Sequence, residues 1–308
     1  MTKYNIVFND IAKRILNESI LLINNIPHYI CEVEFYLYSV NHPDPFTHKD
    51  KEQSIPNNWY FHKKGGNYKS GTFKGLDMTF RPNVITYNKK YGMYGGMLIR
   101  SISKLTSEED DNGNGDNSKD DFIEGPCRVV DYILKLCNES SVKDFVNKYG
   151  VEIKDNESLR IAPRIDLNSE DYCAHNIYNS PRVGLTLKDP KEFALRKEYI
   201  MQNYRYLVYP HKYKRNRKLI ACQLLESGNN SNNICQDMRM STKQVDTLVE
   251  EYKNAKNIDI DNYKFKTLKV DDTVNLMSAC NGKYKMSNDT TKIINNDYLG
   301  QLIDELYR

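Results

Sequence analysis

The chain has 308 residues, of which 39% are hydrophobic and 28% charged, with a formal net charge of +3. That supplies core for one large domain and a small one, while no run approaches the ~18–20 consecutive apolar residues of a membrane span. Seven cysteines without a C-x-x-C pair argue against a disulfide framework or a zinc cluster, and so mild a charge matters through its distribution rather than its sum.

The first residues, Met1-Thr2-Lys3-Tyr4, lack the charged lead and apolar stretch of a signal peptide. The expectation is a soluble intracellular protein of the nucleus, the cytoplasm or a viral factory. From Ile11 to Ile23 apolar residues recur at helical spacing and predict an amphipathic helix, with Pro27 as its stop. Tyr29 to Leu37 is rich in β-branched and aromatic residues and reads as a strand. Tyr29, Cys31, Val33, Phe35 and Leu37 make an apolar face, and Ile30, Glu32, Glu34 and Tyr36 make the other.

Residues 57–80 are hairpin material, with a turn at Lys63-Lys64-Gly65-Gly66-Asn67, and a further strand covers Gly96–Ile102. The segment 107–121 carries seven acidic residues and no apolar one, so it reads as a flexible loop. Gly125-Pro126 opens a helix with Val129, Val130, Ile133, Leu134 and Cys137 on one face. Two Arg-bearing pieces, 161–165 and 180–185, and Tyr204–Val208 are strand-like. A basic segment, His211 to Lys218, then precedes a helix closed by Gly228.

Ile234, Cys235, Met238, Met240, Val245 and Leu248 fall where a helix-turn-helix needs its core, with Ser241 as N-cap of the second helix. Simple trihelical packing has the same pattern. The elements together give an α+β protein, divided into a main domain 1–210, a basic and helix-turn-helix-like unit 211–256, and a segment 257–308 of unassigned role.

Glu32 and Glu34 are the sharpest chemical feature. At ~3.3 Å per residue their Cα atoms lie roughly 6–7 Å apart on one face, so both ionise only at a cost unless water or a cation intervenes. The pattern suits a carboxylate that activates water, and equally a strand edge turned to solvent. His42, Asp44 and His48 on the following proline-pinned loop lack any metal-ligand spacing, so no metal is expected.

Several motifs resemble the alkyladenine (3-methyladenine) DNA glycosylases. That family's A-x-x-L-L-G helix, V-E-T-E-A-Y strand and A-x-H loop are similar to Ala12–Asn17, Cys31-Glu32-Val33-Glu34-Phe35-Tyr36 and Phe46-Thr47-His48. Its L-I-R-A, G-P-G, P-R-I-G and W-R-F motifs resemble Leu98–Ser101, Gly125–Cys127, Pro181–Gly184 and Tyr204–Tyr206, in the family's order over residues 10–208. The resemblance implies a curved antiparallel sheet with flanking helices. It implies Glu34 as water-activating base beside Glu32, Tyr36 and His48 around a flipped base, and Arg100 near the backbone. The stretch that in the family supplies a second stacking aromatic and a wedge reads differently here, leaving Tyr68 and Phe73 as its stacking candidates.

The expected function is a monofunctional glycosylase-like hydrolase that releases a modified base from DNA, or from structured RNA, without a cofactor or a lysine nucleophile. Base flipping and aromatic stacking are the physical requirements of such a site. Arg100, Arg182, Lys212, Lys214, Arg215, Arg217, Lys243 and Gln244 are the expected nucleic-acid contacts. The alternatives are an inactive glycosylase fold that binds nucleic acid through the helix-turn-helix, and an enzyme for another glycosidic bond.

Overall fold

The fold is α+β in the computed structural model, which describes residues 3–81, 92–105, 122–153, 156–164, 173–264, 268 and 270–281. The acidic loop 107–121 and the C-terminal helix expected from Tyr298 to Leu306 lie outside the described residues. Among the described residues the chain divides into two compact units, one built from Ile6–Pro43 and Thr47–His175, the other from residues 3–5, Asp44–Phe46 and residues 176–281.

The first unit is organised around an antiparallel sheet. In chain order its elements are α1 (Lys3–Lys13), β1 (Ser19–Ile23), β2 (Ile26–Ser39), β3 (His42–Pro43), β4 (Trp59–Phe61), β5 (Lys63–Lys64), β6 (Asn67–Tyr68), β7 (Leu76–Thr79), β8 (Tyr94–Lys104), β9 (Phe122–Glu124), α2 (Pro126–Leu136), α3 (Val142–Tyr149) and β10 (Leu159–Pro163). The strands follow the order β10-β1-β2-β8-β7-β4, with β3 added to β2 and β9 to β8, while β5 and β6 form a separate hairpin. The long strands β2 and β8 run side by side from His28↔Lys104 to Tyr38↔Tyr94, with a bulge at Ile30–Val33. A bulge bends its strand and increases local twist.

The expected helix from Ile11 to Ile23 is corrected here. Helix α1 ends at Lys13, one π turn covers Arg14–Glu18, and Ser19–Ile23 is a strand. The reason is the Asn24-Asn25 pair, both left-handed at φ 48° and 63°, which turns β1 back onto β2 as a two-residue hairpin. Pro27 therefore sits at the start of β2 opposite Leu22 and stops no helix. A short continuous apolar run fits either structure by periodicity, and the turn decides.

Both faces of β2 are buried. Cys31, Val33, Phe35 and Leu37 are at most 1% exposed, and Phe8 of α1 stacks on Phe35 at 4.6 Å and 7°. Helix α2 starts at Gly125 (φ 108°) and Pro126, and buries Val129, Val130, Ile133 and Leu134 as expected. Helix α3 is capped by the Ser141 hydroxyl, which accepts from the Asp144 backbone N–H.

The second unit contains β11 (Tyr178–Ser180), α4 (Phe193–Tyr199), β12 (Arg205–Leu207), α5 (Arg217–Glu226), α6 (Ser231–Met238), α7 (Thr242–Asn254) and α8 (Val270–Cys280). Its core includes Leu187, Phe193, Ile200, Ile260, Leu276 and Ala279. Strands β11 and β12 pair with each other and α5 packs on β11, so the chain enters this unit at Asn176 rather than at the boundary expected near 210.

Candidate active site

The solvent-facing alternative for the carboxylate pair does not hold, since Glu32 is 1% exposed and Glu34 0%. Arg100 of β8 supplies the cation that such a pair requires. Its Nε donates to Glu32 Oε1 at 3.0 Å and its Nη1 to Glu34 Oε2 at 3.3 Å. The Ser101 hydroxyl donates to Glu32 Oε2 at 2.5 Å, and the Tyr36 hydroxyl to Glu34 Oε2 at 2.8 Å. Burial works against the charge on Arg100, but the Glu34 and Glu32 carboxylates outweigh it and raise its pKa above the ordinary arginine range. Removing one member of so buried a set leaves an uncompensated charge, which typically costs about 3–5 kcal/mol.

The sheet register carries this face across to β7 and β4. Leu98 opposes Glu34 on one side and Asp77 on the other, and Asp77 in turn opposes Tyr60. Directly opposed residues share a face, so Glu34, Leu98, Asp77 and Tyr60 form one row, with Glu34 and Asp77 two strands or about 10 Å apart. Gly96, opposite Tyr36, leaves a gap that the neighbours occupy. A Cβ there would collide with Asp77 Oδ2 and Gln53 Nε2.

Asp77 is held from two sides, by Gln53 Nε2 at 3.0 Å and His62 Nε2 at 2.7 Å. The His62 ring meets that of His48 edge-on at 4.4 Å, and His48 Nε2 lies 3.2 Å from Lys69 Nζ. His48 is exposed on one side and crowded on the other. That partial desolvation, and then the neighbouring His62, lowers its pKa to about 4. Gln53 Oε1 is buried here without a hydrogen-bond partner. A buried orphan costs about 1–3 kcal/mol, so this corner favours a polar guest.

Of the residues singled out from sequence, Glu32, Glu34, Tyr36 and Arg100 meet directly, and His48 joins the adjoining Asp77–His62 row. Tyr68 packs edge-on against Phe61 at 6.5 Å, beneath Lys63 Nζ at 4.7 Å. Phe73 is 74% exposed. Asp77, His62, Gln53, Tyr60 and Lys69 were not expected as site residues. The stretch 57–80 was expected as hairpin material, but the pairing of β7 with both β8 and β4 was not.

The expected nucleic-acid contacts lie in the second unit apart from Arg100, which is spent on the two glutamates. Arg182 binds Asp44 by two bonds, at 2.5 and 3.2 Å, with neither side chain exposed; as a phosphate contact it is corrected. Arg217 donates to the carbonyls of Met238 and Arg239 at the end of α6, so it too is corrected to a structural role. Gln244 closes a capping box with Ser241, which engages its side chain. Lys214, Arg215 and Lys243 are exposed, and Lys212 Nζ stands 4.7 Å over the Tyr209 ring. Helices α6 and α7 follow one another across the expected turn and bury Ile234, Met238, Val245 and Leu248, with α5 packed on both, an arrangement that the helix-turn-helix and the trihelical readings share.

The three residues of the loop trio are engaged elsewhere. His42 is buried with Nδ1 2.7 Å from the Leu37 carbonyl and Asp44 is taken by Arg182, and among the described residues no cluster of three His, Cys, Asp or Glu could hold an ion. No helix among the described residues is long and apolar enough to cross a membrane.

No established family profile matches the sequence, and no solved structure matches it. Uncharacterized protein L759 of Acanthamoeba polyphaga mimivirus is 32% identical over 188 residues, which span 59% of this chain and 79% of that protein. With identity of that level over most of the relative's length, the chain belongs to the same family as mimivirus uncharacterized protein L759.

Proposed function

We propose that the protein is a base-excising hydrolase that cleaves an N-glycosidic bond in DNA, with Glu34 as the group that activates water. The observation that carries this reading is a carboxylate buried on the central strand of an antiparallel sheet and held by Arg100 and Tyr36. Fixing a carboxylate by two donors orients its remaining lone pairs, and orientation is what a base needs to align water at an anomeric carbon. General base catalysis of this kind contributes roughly 10²–10⁴-fold. Glycosidic cleavage passes through an oxocarbenium-like sugar, which a neighbouring carboxylate stabilises. The collinear glycosylase-like motifs support the substrate class, and the giant-virus origin of the relative supports a viral factory as the setting.

The test is incubation of the protein with duplexes carrying methylated, deaminated or etheno bases, followed by alkali to reveal abasic sites. Wild type is expected to release base from at least one lesion. Glu34→Gln is expected to lower release at least ~100-fold while retaining binding. The α6–α7 unit favours a second reading, a nucleic-acid-binding protein without catalysis. That reading wins where wild type binds duplex with a steep salt dependence and releases nothing from any lesion.

A further inference from the structure

We propose that Lys69 is a carbonyl-reactive amine, through which the protein forms a Schiff base with the C1′ aldehyde of an abasic sugar and cleaves the strand by β-elimination. This goes beyond base release and takes the product of that reaction as its substrate. It also departs from the expectation that no lysine nucleophile is present.

Geometry singles this lysine out. Hairpin β5–β6 turns through Gly65 and Gly66, at φ 57° and 81°, and brings the chain back so that the Lys69 backbone N–H donates to the His62 carbonyl at 2.8 Å. The side chain then reaches His48, with Nζ 3.2 Å from Nε2. Lys63 and Lys74 nearby are ion-paired with the carboxylates of Glu52 and Asp131. Lys69 instead faces an imidazole, not a carboxylate, and one whose own pKa is lowered. Partial burial lowers the Lys69 pKa against the pull of the Asp77 carboxylate, which favours the neutral amine. Desolvated lysines are the ones that act as Schiff-base nucleophiles. The rings of Tyr60 and His62 lie beside His48, at 6.1 and 4.4 Å between centroids, and make this corner aromatic as well as polar.

The chemistry balances without an oxidant or reductant. His48 takes a proton from Lys69 Nζ as the amine adds to C1′, solvent protonates the resulting alkoxide to a carbinolamine, and the His48 imidazolium then protonates that hydroxyl so that it leaves as water and a protonated imine remains. The neutral imidazole of His48 then removes a C2′ proton from the imine. The C3′–O bond breaks, and the phosphate leaves on the downstream strand. Water finally hydrolyses the imine and frees Lys69 and an unsaturated aldehyde.

The test uses the full chain and a duplex carrying a synthetic abasic site, with sodium cyanoborohydride to reduce any imine to a stable amine. The expected results are a covalent protein–DNA adduct on a denaturing gel, mapped by mass spectrometry to Lys69, and strand cleavage when the reductant is omitted. Lys69→Met and Lys69→Arg are each expected to reduce adduct at least ~20-fold, and His48→Gln to slow its formation at least ~10-fold. Thermal melting of the variants shows that the fold is kept, and the arginine variant preserves the charge. No adduct with wild type, or an adduct undiminished in both Lys69 variants, overturns the proposal. The abasic duplex already lacks its base, so trapping without base release refutes the glycosylase reading and keeps this one, and release without trapping does the reverse.

Discussion

Arg100 shows why a single side chain can decide the character of a buried site. Two carboxylates on alternate residues of β2 are tolerable in the interior because one guanidinium spans them and two hydroxyls take further lone pairs. A second buried ionisable group, His28, follows the opposite logic, because no carboxylate compensates it. Its Nε2 meets the Tyr132 hydroxyl at 3.1 Å and its Nδ1 the Ile26 carbonyl at 2.9 Å, partners that suit the neutral ring. Burial, aided by the charge on Lys104, lowers its pKa from 6.5 to about 4. Between those values the unfolded chain takes up a proton that the folded one refuses, so stability is complete above about pH 6.5 and falls as the pH approaches 4. The expected loss between pH 7 and pH 4.5 is on the order of 2–3 kcal/mol from this group. Urea unfolding of wild type and His28→Gln at the two pH values measures it as the difference between their losses, and equal losses would rule it out.

Among the elements, the turn between α6 and α7 makes opposed demands on adjacent residues. Arg239 occupies the left-handed region at φ 46°, where a glycine is ordinarily found, while the Ser241 hydroxyl caps α7 by accepting from the Gln244 backbone N–H and the Ser241 backbone N–H donates in return to Gln244 Oε1. Arg239→Gly should therefore raise the stability of this unit by about 1 kcal/mol, and Ser241→Ala should lower it by about 1 kcal/mol. Thermal melts of the two variants are expected to move in opposite directions, and a shift of the same sign in both would contradict the assignment of the turn. This part was legible in the sequence because capping and turn chemistry are local, and so were α2, with its Gly-Pro start, and the strand character of β2 and β8. The β1 strand was not, since Ser19–Ile23 is a helical or an extended run until Asn24-Asn25 is seen to turn. The glutamate pair was legible as a pair. Its neighbours Asp77, His62 and Lys69 were not, because they arrive through strand pairing and a hairpin register that no local pattern encodes.

For the molecule as a whole, a net charge of +3 predicts no strong general attraction to a polyanion, so any grip on nucleic acid depends on where cations stand. Two arginines expected to serve are spent elsewhere, Arg182 on Asp44 and Arg217 on the carbonyls ending α6. The exposed cations Lys214 and Arg215 precede α5 and Lys243 opens α7, in the same unit. On the proposed reading these touch phosphate, and each neutralised phosphate contributes about 0.9 to the slope of log affinity against log salt concentration. Lys214→Gln with Arg215→Gln should then flatten that slope by about 2 for duplexes of any sequence, with melting temperature unchanged because both side chains are on the surface. Fluorescence anisotropy over a salt series reads the slope directly. A slope that stays as steep in the double variant would place the phosphate contacts on other residues and remove this unit from the interface.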